Sequence, residues 1–314
     1  MRIFRRKERL MGNRFILGVV GEDEELANQA LEEAVNEIKR IEALFTTFND
    51  SSITNQINQK SGKSAVKVPE EFLQLMVRAE KISNLTEGAF DLSYGSLDKD
   101  FWNFNREMTQ LPHPKDAKKA VELINFKNIE LNSAEKTVFL KKEGMRIGFG
   151  GIGKGYAADQ AKKLLIAKGF ENGIVNASGD LCCWGKDENG NDWKITLANP
   201  DAPEEIIAQI PLKNYAVATS GTYEKFVWIE GKKYSHTIDP KTGYPVKGVK
   251  SVTVLAPFAE LADALTTPVA VMGIQDGLNM LNQLNGIAAV IIDDQNNLYT
   301  TKNLNSKIFE PEKI

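Results

Sequence analysis

A chain of 314 residues with 42% hydrophobic and 26% charged content is a globular protein of one large or two average domains, which excludes the disordered and fibrous classes. The balance of 39 basic against 42 acidic residues leaves a net charge of -3, so there is no global field for nucleic acid or an anionic membrane. A polyanionic ligand must be held locally. No apolar run approaches the roughly 18 to 20 residues that cross a bilayer.

MRIFRRKERL is basic with no apolar h-region of the signal-peptide kind behind it, and reads as an N-terminal extension over 1–10 rather than a signal peptide. RFILGVVG follows as a short apolar run. Leu26, Ala30, Leu31, Ala34, Val35, Ile38, Ile41 and Phe45 then recur at helical spacing and predict an amphipathic helix. TTFNDSSITNQIN predicts a polar turn and a short helix. PEEFLQLMVRAEKISNLTEG predicts a second long helix, with Pro69 at its start and Gly88 as its stop. A third helix is expected from Pro114 to about Leu123.

Strands dominate from Ile129: VFLKK, MRIGF, GIVNAS, DWKITLA, IIAQIPL, YAVATS, KFVWIE, KKYSHTI, KSVTVLA, AAVIID and NLYT. ENGND after Trp184 and EGKK after Trp228 read as hairpin turns. Helices are expected at 152–169, 258–272 and about 275–284. The order predicts α+β with largely antiparallel sheets and an N-terminal helical layer, as a single domain over 11–314. The two cysteines, Cys182 and Cys183, are adjacent and match no zinc or redox spacing, so they read as buried apolar residues. The two histidines, His113 and His236, form no metal signature.

RIGFGGIGKGYAAD passes from a predicted strand through glycines into a helix. Gly148, Gly150 and Gly153 fit G-x-G-x-x-G, but that motif needs a βαβ unit near the front of a parallel sheet, which the element order does not give, and Asp180 is too distant to be its ribose acid. Gly155 stands where a P-loop needs Ser or Thr. What remains is either a phosphate cradle at a helix N-terminus with Lys154 beside it, or a tight packing turn. Asp263 and Thr267, four apart on a predicted helix, are two hard oxygen ligands for Mg2+ or, alternatively, a solvent-facing pair with the threonine bonded back. Pro268 after them should kink the helix. His236 and Asp239 flank a turn built on Pro240 and Gly243, with Ser220 and Ser235 near in pattern, which makes His236 a structural histidine or a ligand-side one.

LMGNRF, TTFNDSSITNQIN, EGAFDLSYGSL, GGIGKGYAAD, NASGD, ATSGTYEKF, YSHTIDPKTGYPV and ADALTT stand in that order. Together they resemble the ApbE-type FAD:protein FMN transferases, from Met11 to about Gly273. The resemblance implies a T-fold-like α+β protein. It also implies an Mg2+-dependent reaction that splits FAD, places FMN on a Thr or Ser hydroxyl of an acceptor protein and releases AMP. Met11, Phe48, Ala89, Phe90 and Asp91 would line the FAD site, with Gly148, Lys154 and Thr237 beside the dinucleotide. The Gly151 carbonyl, Asp263 and Thr267 would hold the metal.

Three positions depart from the family pattern: Gly148 replaces its Asp, Thr237 its Ile and Pro268 its Ala. The acceptor motif of the resembled family is absent from this chain, so the acceptor is expected to be a separate protein, a redox-complex subunit. His236 is the candidate base, with Asp239 behind it. The alternatives are an FAD pyrophosphatase giving FMN and AMP, and a non-catalytic FAD-binding protein; an NAD-dependent oxidoreductase fails on the expected sheet order. The chain as it stands is expected in the cytoplasm, whereas the resembled family's habit points to the periplasmic side.

Overall fold

The computed structural model describes residues 1–98, 108, 110–202, 204–221, 226–229, 231–304 and 310–311. The chain opens on an antiparallel hairpin, β1 (Arg2–Leu10) and β2 (Asn13–Gly21), in register from Arg2↔Gly21 to Leu10↔Asn13. The basic stretch is thus a strand of the sheet and not an extension ahead of it. Its Phe4 and Leu10 are buried while Arg5, Arg6, Lys7 and Arg9 face out. Cations along an outer edge are a placement that discourages strand addition.

Helix α1 (Glu24–Phe45) is the amphipathic helix that the spacing predicts. Asp23 caps it by accepting from the Leu26 amide at 3.0 Å, and Glu24 and Glu25 lie in the first turn, where the helix dipole favours them. Leu26 itself stays 49% exposed. It lies about 100° around from the stripe that Ala27 begins, so Ala27 takes the buried place expected for it. After α2 (Ile53–Gln59), β3 (Val66–Lys67) and α3 (Glu70–Leu85) comes α4 (Pro114–Ala120), which stops short of Leu123. Strands β4 (Ile129–Asn132) and β5 (Thr137–Leu140) pair with β3 as a small sheet.

The remaining elements are α5 (Gly153–Ala167), β6 (Gly173–Ala177), β7 (Asp180–Trp184), β8 (Trp193–Ala198), β9 (Ile206–Leu212), β10 (Ala216–Gly221), β11 (Phe226–Ile229), β12 (Lys232–Ser235), β13 (Ser251–Ala256), α6 (Ala259–Met272), α7 (Ile274–Leu281), β14 (Ala288–Ile292), β15 (Leu298–Thr300) and β16 (Glu310–Pro311). The main sheet has eight strands in the order β1-β2-β6-β7-β10-β13-β14-β15, all antiparallel. Helices α1, α5 and α6 pack on one face. A second sheet, β16-β9-β8, covers part of the other through Trp193, Ile195, Ile210 and Leu212 against Leu181, Cys183, Val217 and Leu255. Strand β7 is buried along its whole length. Its Cys182 faces the helices and Cys183 the second sheet, the alternation of a strand, which leaves both as free buried thiols.

Two strand expectations are corrected. MRIGF forms no strand: side chains and the Leu92 carbonyl, which accepts from the Gly148 amide at 2.9 Å, satisfy its backbone in place of a neighbouring strand. Asn58 accepts from the Ile147 amide at 2.7 Å and donates to its carbonyl at 3.1 Å, while Ser96 Oγ does the same for Arg146 at 2.7 and 2.9 Å. The ENGND turn closes no hairpin, because β7 pairs with β6 and β10 whereas β8 pairs with β9. The turn itself is real, organised by Asp187 Oδ1, and it carries the chain from one sheet to the other. The hairpin expected across EGKK forms as β11 and β12, and α6 runs on through Pro268 to Met272.

Candidate functional site

The site is built on a close crossing of α5 and α6. A Cβ on Gly155 would stand 2.2 Å from the Ala259 carbonyl oxygen, so only glycine lets the two helices approach this far. Each helix then caps the other. Asp159 of α5 accepts from the Ala259 and Glu260 amides at 3.0 and 2.9 Å, and Asp263 of α6 accepts from the Gly155 amide at 3.0 Å. Phe258, the residue in the cap position of α6, makes no side-chain cap bond, so Asp159 supplies the acceptors that helix start lacks. Burial outweighs those two hydrogen bonds and pushes the Asp159 carboxyl up to about 6.

The crossing places three charges together. The Lys154 ammonium lies 2.8 Å from Asp180 Oδ2 and 3.5 Å from Asp263 Oδ1, both carboxylates being almost wholly buried. Burial pulls the lysine down, but the negative charges of Asp263 and Asp180 more than offset it, leaving the ammonium above the usual lysine range. Burial, then the charge of Asp263, pushes Asp180 up to about 7 against the opposing pull of Lys154 and of the Thr219 amide.

The glycine loop divides by cause. Gly155 is demanded by packing, but a Cβ on Gly150 would meet nothing within 4 Å, and on Gly148 or Gly151 only ordinary contacts. None of the three has a positive φ. Among the described residues nothing requires glycine at 148, 150 and 151, and a bare backbone of this kind suits a ligand that approaches closely. Phe149 pins the loop to the core, packing edge-on against Phe45 and Phe72 at 4.6 and 5.2 Å.

A cavity of about 340 Å³ opens over the loop, lined by Ala89, Phe90, Asp91, Gly148, Gly151, His236, Thr237 and Thr267 among others. A second, of about 900 Å³, shares Tyr94, Gly95 and Gly148 with it and reaches Phe48, Lys119 and Arg146. The two cavities adjoin at the shared residues, and each is of the size that takes small ligands. Phe48 stands 98% exposed at the rim of the larger one.

Three expected residues lie off the lining, the first of them the buried Asp263. Lys154 sits beneath the loop, and Met11 packs its methyl against Gly153 from the β1–β2 turn. Met11 has a φ of 50° in a turn whose other residue, Gly12, has 73°, an uncommon conformation for a side-chain-bearing residue. Asp91 is on the cavity wall, but its carboxylate serves the fold: Oδ1 accepts from the Ser93 amide and hydroxyl at 2.7 and 2.6 Å, Oδ2 from the Phe126 amide at 2.7 Å. Asp239 is likewise spent on its own turn, through the Lys241 amide and Thr242 hydroxyl. Ser235 accepts from the Thr237 amide, and the Tyr94 hydroxyl accepts from the Ile238 amide at 3.0 Å, which ties the His236 segment to the Leu92–Ser96 turn.

Asp180 is the residue that sequence reasoning passes over, weighing it only as a ribose acid. The available signal is local: Ser178 and Gly179, at φ 59° and 107°, turn an acidic residue into the head of the otherwise apolar DLCCW.

Among the described residues, no group of three or more His, Cys, Asp or Glu could hold a metal alone. The donor set nevertheless suits a hard cation. Asp263 keeps one oxygen for Gly155 and turns the other toward an ammonium at a long 3.5 Å. That position already carries positive charge, and Thr267 and Gly151 line the adjacent wall. Carboxylate, hydroxyl and carbonyl oxygens completed by water and phosphate are magnesium chemistry.

Fold and site together define an α+β protein with a cleft over a glycine loop and a buried Lys154–Asp180–Asp263 trio beside it. The chain belongs to the ApbE family, whose profile matches residues 11–291. It is 29% identical over 307 residues to a protein of Klebsiella pneumoniae named FAD:protein FMN transferase, covering 97% of this chain and 91% of that one. A Treponema pallidum protein of the same name is 29% identical over 279 residues, 84% of this chain and 76% of the relative. The crystal structure of the ApbE protein of Thermotoga maritima superposes with a TM-score of 0.88 at 30% identity, covering 99% of this chain and 100% of that one.

Proposed function

We propose that this protein is a transferase that moves FMN from FAD to a Thr or Ser hydroxyl of an acceptor protein, with AMP released and Mg2+ required. The observation that carries the reading is the Lys154–Asp263 contact beneath a loop whose Gly148, Gly150 and Gly151 meet no described residue that requires them bare. Backbone amides, a lysine and a hard-oxygen donor set at one point match the needs of a pyrophosphate whose oxygens gain charge during displacement. Phe48 fits the flavin end: an aromatic ring exposed at the rim gains burial when a second ring stacks on it.

Bound at Asp263, Thr267 and the Gly151 carbonyl, Mg2+ would neutralise charge on the phosphate oxygens. The chain's own residues do the rest. The loop holds the phosphates, and Lys154 balances their charge. The acceptor hydroxyl attacks the phosphorus nearest the flavin, His236 on the cavity wall takes its proton, and the bond to the adenylate side breaks with its electron pair leaving on AMP. His236 is half-buried, which leaves an approach for a protein side chain.

The test is chromatography of FAD incubated with the protein and Mg2+, with and without a peptide bearing the family's acceptor motif. FMN on the peptide together with AMP is the expected result. Asp263→Ala should lower AMP release by about 100-fold or more, and His236→Ala should lose transfer by about 100- to 10,000-fold. Free FMN in place of FMN-peptide would make the protein a pyrophosphatase. FAD binding with no AMP would make it a binder and end the proposal.

A further inference from the structure

Lys154, Asp180 and Asp263 form a buried trio with two unequal legs, 2.8 Å to Asp180 and 3.5 Å to Asp263. The unequal legs have a chemical meaning. Asp180 is nine-tenths buried, opens β7 in the centre of the main sheet, and holds the ammonium closely. Asp263 has a second partner, the Gly155 amide, and meets the ammonium only loosely. The leg that opens first is therefore the one to the cation donor, and the lysine stays tethered when it opens.

We infer that Asp180 is a positioning residue which anchors Lys154 as an internal cation, so that Asp263 accepts a divalent ion only when the pyrophosphate of the dinucleotide arrives with it. The inference rests on the FAD-cleaving reading of the site and concerns the order in which its charges assemble.

Charge counting gives the order. With all three groups ionised, the trio alone carries one net negative charge. A divalent cation entering by itself would leave a buried net positive charge, with ammonium and metal side by side, and like charges at short range in a poorly solvated site repel strongly. The two negative charges of a pyrophosphate restore the original balance and draw the ammonium toward the phosphates and off Asp263. Lys154 thus excludes a lone metal, and Asp180 keeps the lysine from pairing fully with Asp263.

The two partners should consequently fail in opposite directions. Removing Lys154 leaves two buried carboxylates that a divalent ion alone can neutralise. Removing the charge of Asp180 leaves Lys154 a single anion to pair with, Asp263, and the lysine then competes with the metal.

The experiment is Mn2+ titration of the FAD-free protein followed by electron paramagnetic resonance. Beside it runs the Mg2+ concentration giving half-maximal AMP release from FAD. Lys154→Met should bind Mn2+ about tenfold more tightly than the wild type, Lys154→Arg should not, and Asp180→Asn should need about tenfold more Mg2+. Lys154→Gln stands in should the methionine variant not fold. A Lys154→Met or Lys154→Gln protein that binds Mn2+ no better than the wild type overturns the inference, as does an Asp180→Asn protein with an unchanged Mg2+ requirement. Loss of site integrity alone would weaken both variants and cannot tighten one. A wild type that releases no AMP defeats the proposed function, whereas the Mn2+ titration still decides the order of charge assembly.

Discussion

Two glycines seven positions apart carry opposite demands. Gly155 is held by the Ala259 carbonyl, and Gly148 faces space, its nearest neighbour being a Thr47 methyl at 3.8 Å. Gly155→Ala should force α5 and α6 apart, cost about 1 to 3 kcal/mol and move Asp263 with α6. Gly148→Ala should keep the wild-type thermal midpoint and weaken FAD binding, since a methyl there meets no described protein atom closer than 3.8 Å but narrows the space the bare loop leaves for the ligand. Calorimetry and FAD titration of the two variants check both halves, and equal destabilisation would contradict the division. Sequence patterns group these glycines into one motif because spacing records neither which neighbour each one meets nor that the neighbour lies over a hundred residues away.

At the scale of elements, the helices were legible because a buried stripe repeats every three or four residues, and α1, α3, α5 and α6 lie where that period puts them. The stretch at 145–149 was not. Its alternation is that of a strand, and only long-range partners such as Asn58 show that side chains replace the ladder. The mutual capping of α5 and α6 was equally hidden, because each cap is an aspartate from the other helix.

That capping has a pH signature. The Asp159 carboxyl, up to about 6 in the fold against 3.8 as its ordinary value, binds its proton more tightly folded than unfolded. Its contribution to stability is therefore greatest below about pH 4 and falls as pH rises to about 6, with no further change above. Asp180 acts with the same sign and a higher end point, so the informative quantity is the difference between wild type and Asp159→Asn. The wild-type lead in thermal midpoint should shrink across pH 4 to 6 and then level off. A lead that stays constant or widens over that range would show that Asp159 stays ionised in the fold.

At the scale of the whole molecule, family likeness and physical integrity do not share a boundary. The family profile begins at Met11, but β1 lies before it and pairs along its full length with β2. Phe4 and Leu10 enter the main core, and Arg2 and Arg6 reach Glu24 and Glu32 on α1 at 2.7 and 3.0 Å. The exposed ion pairs contribute little. The buried side chains contribute about 1.5 to 3 kcal/mol each, a large share of a marginal total. Without β1, the unpaired groups of β2 would form a hydrophobic edge with no cations to guard it. A chain starting at Met11 should therefore melt well below the full-length protein and self-associate on size-exclusion chromatography. A monomer with an unchanged midpoint would show that the basic strand is dispensable. Because β2 also carries the Met11 turn against Gly153 at the start of α5, the truncated chain should lose FAD affinity along with stability, which links the outermost strand of the sheet to the cleft at its centre.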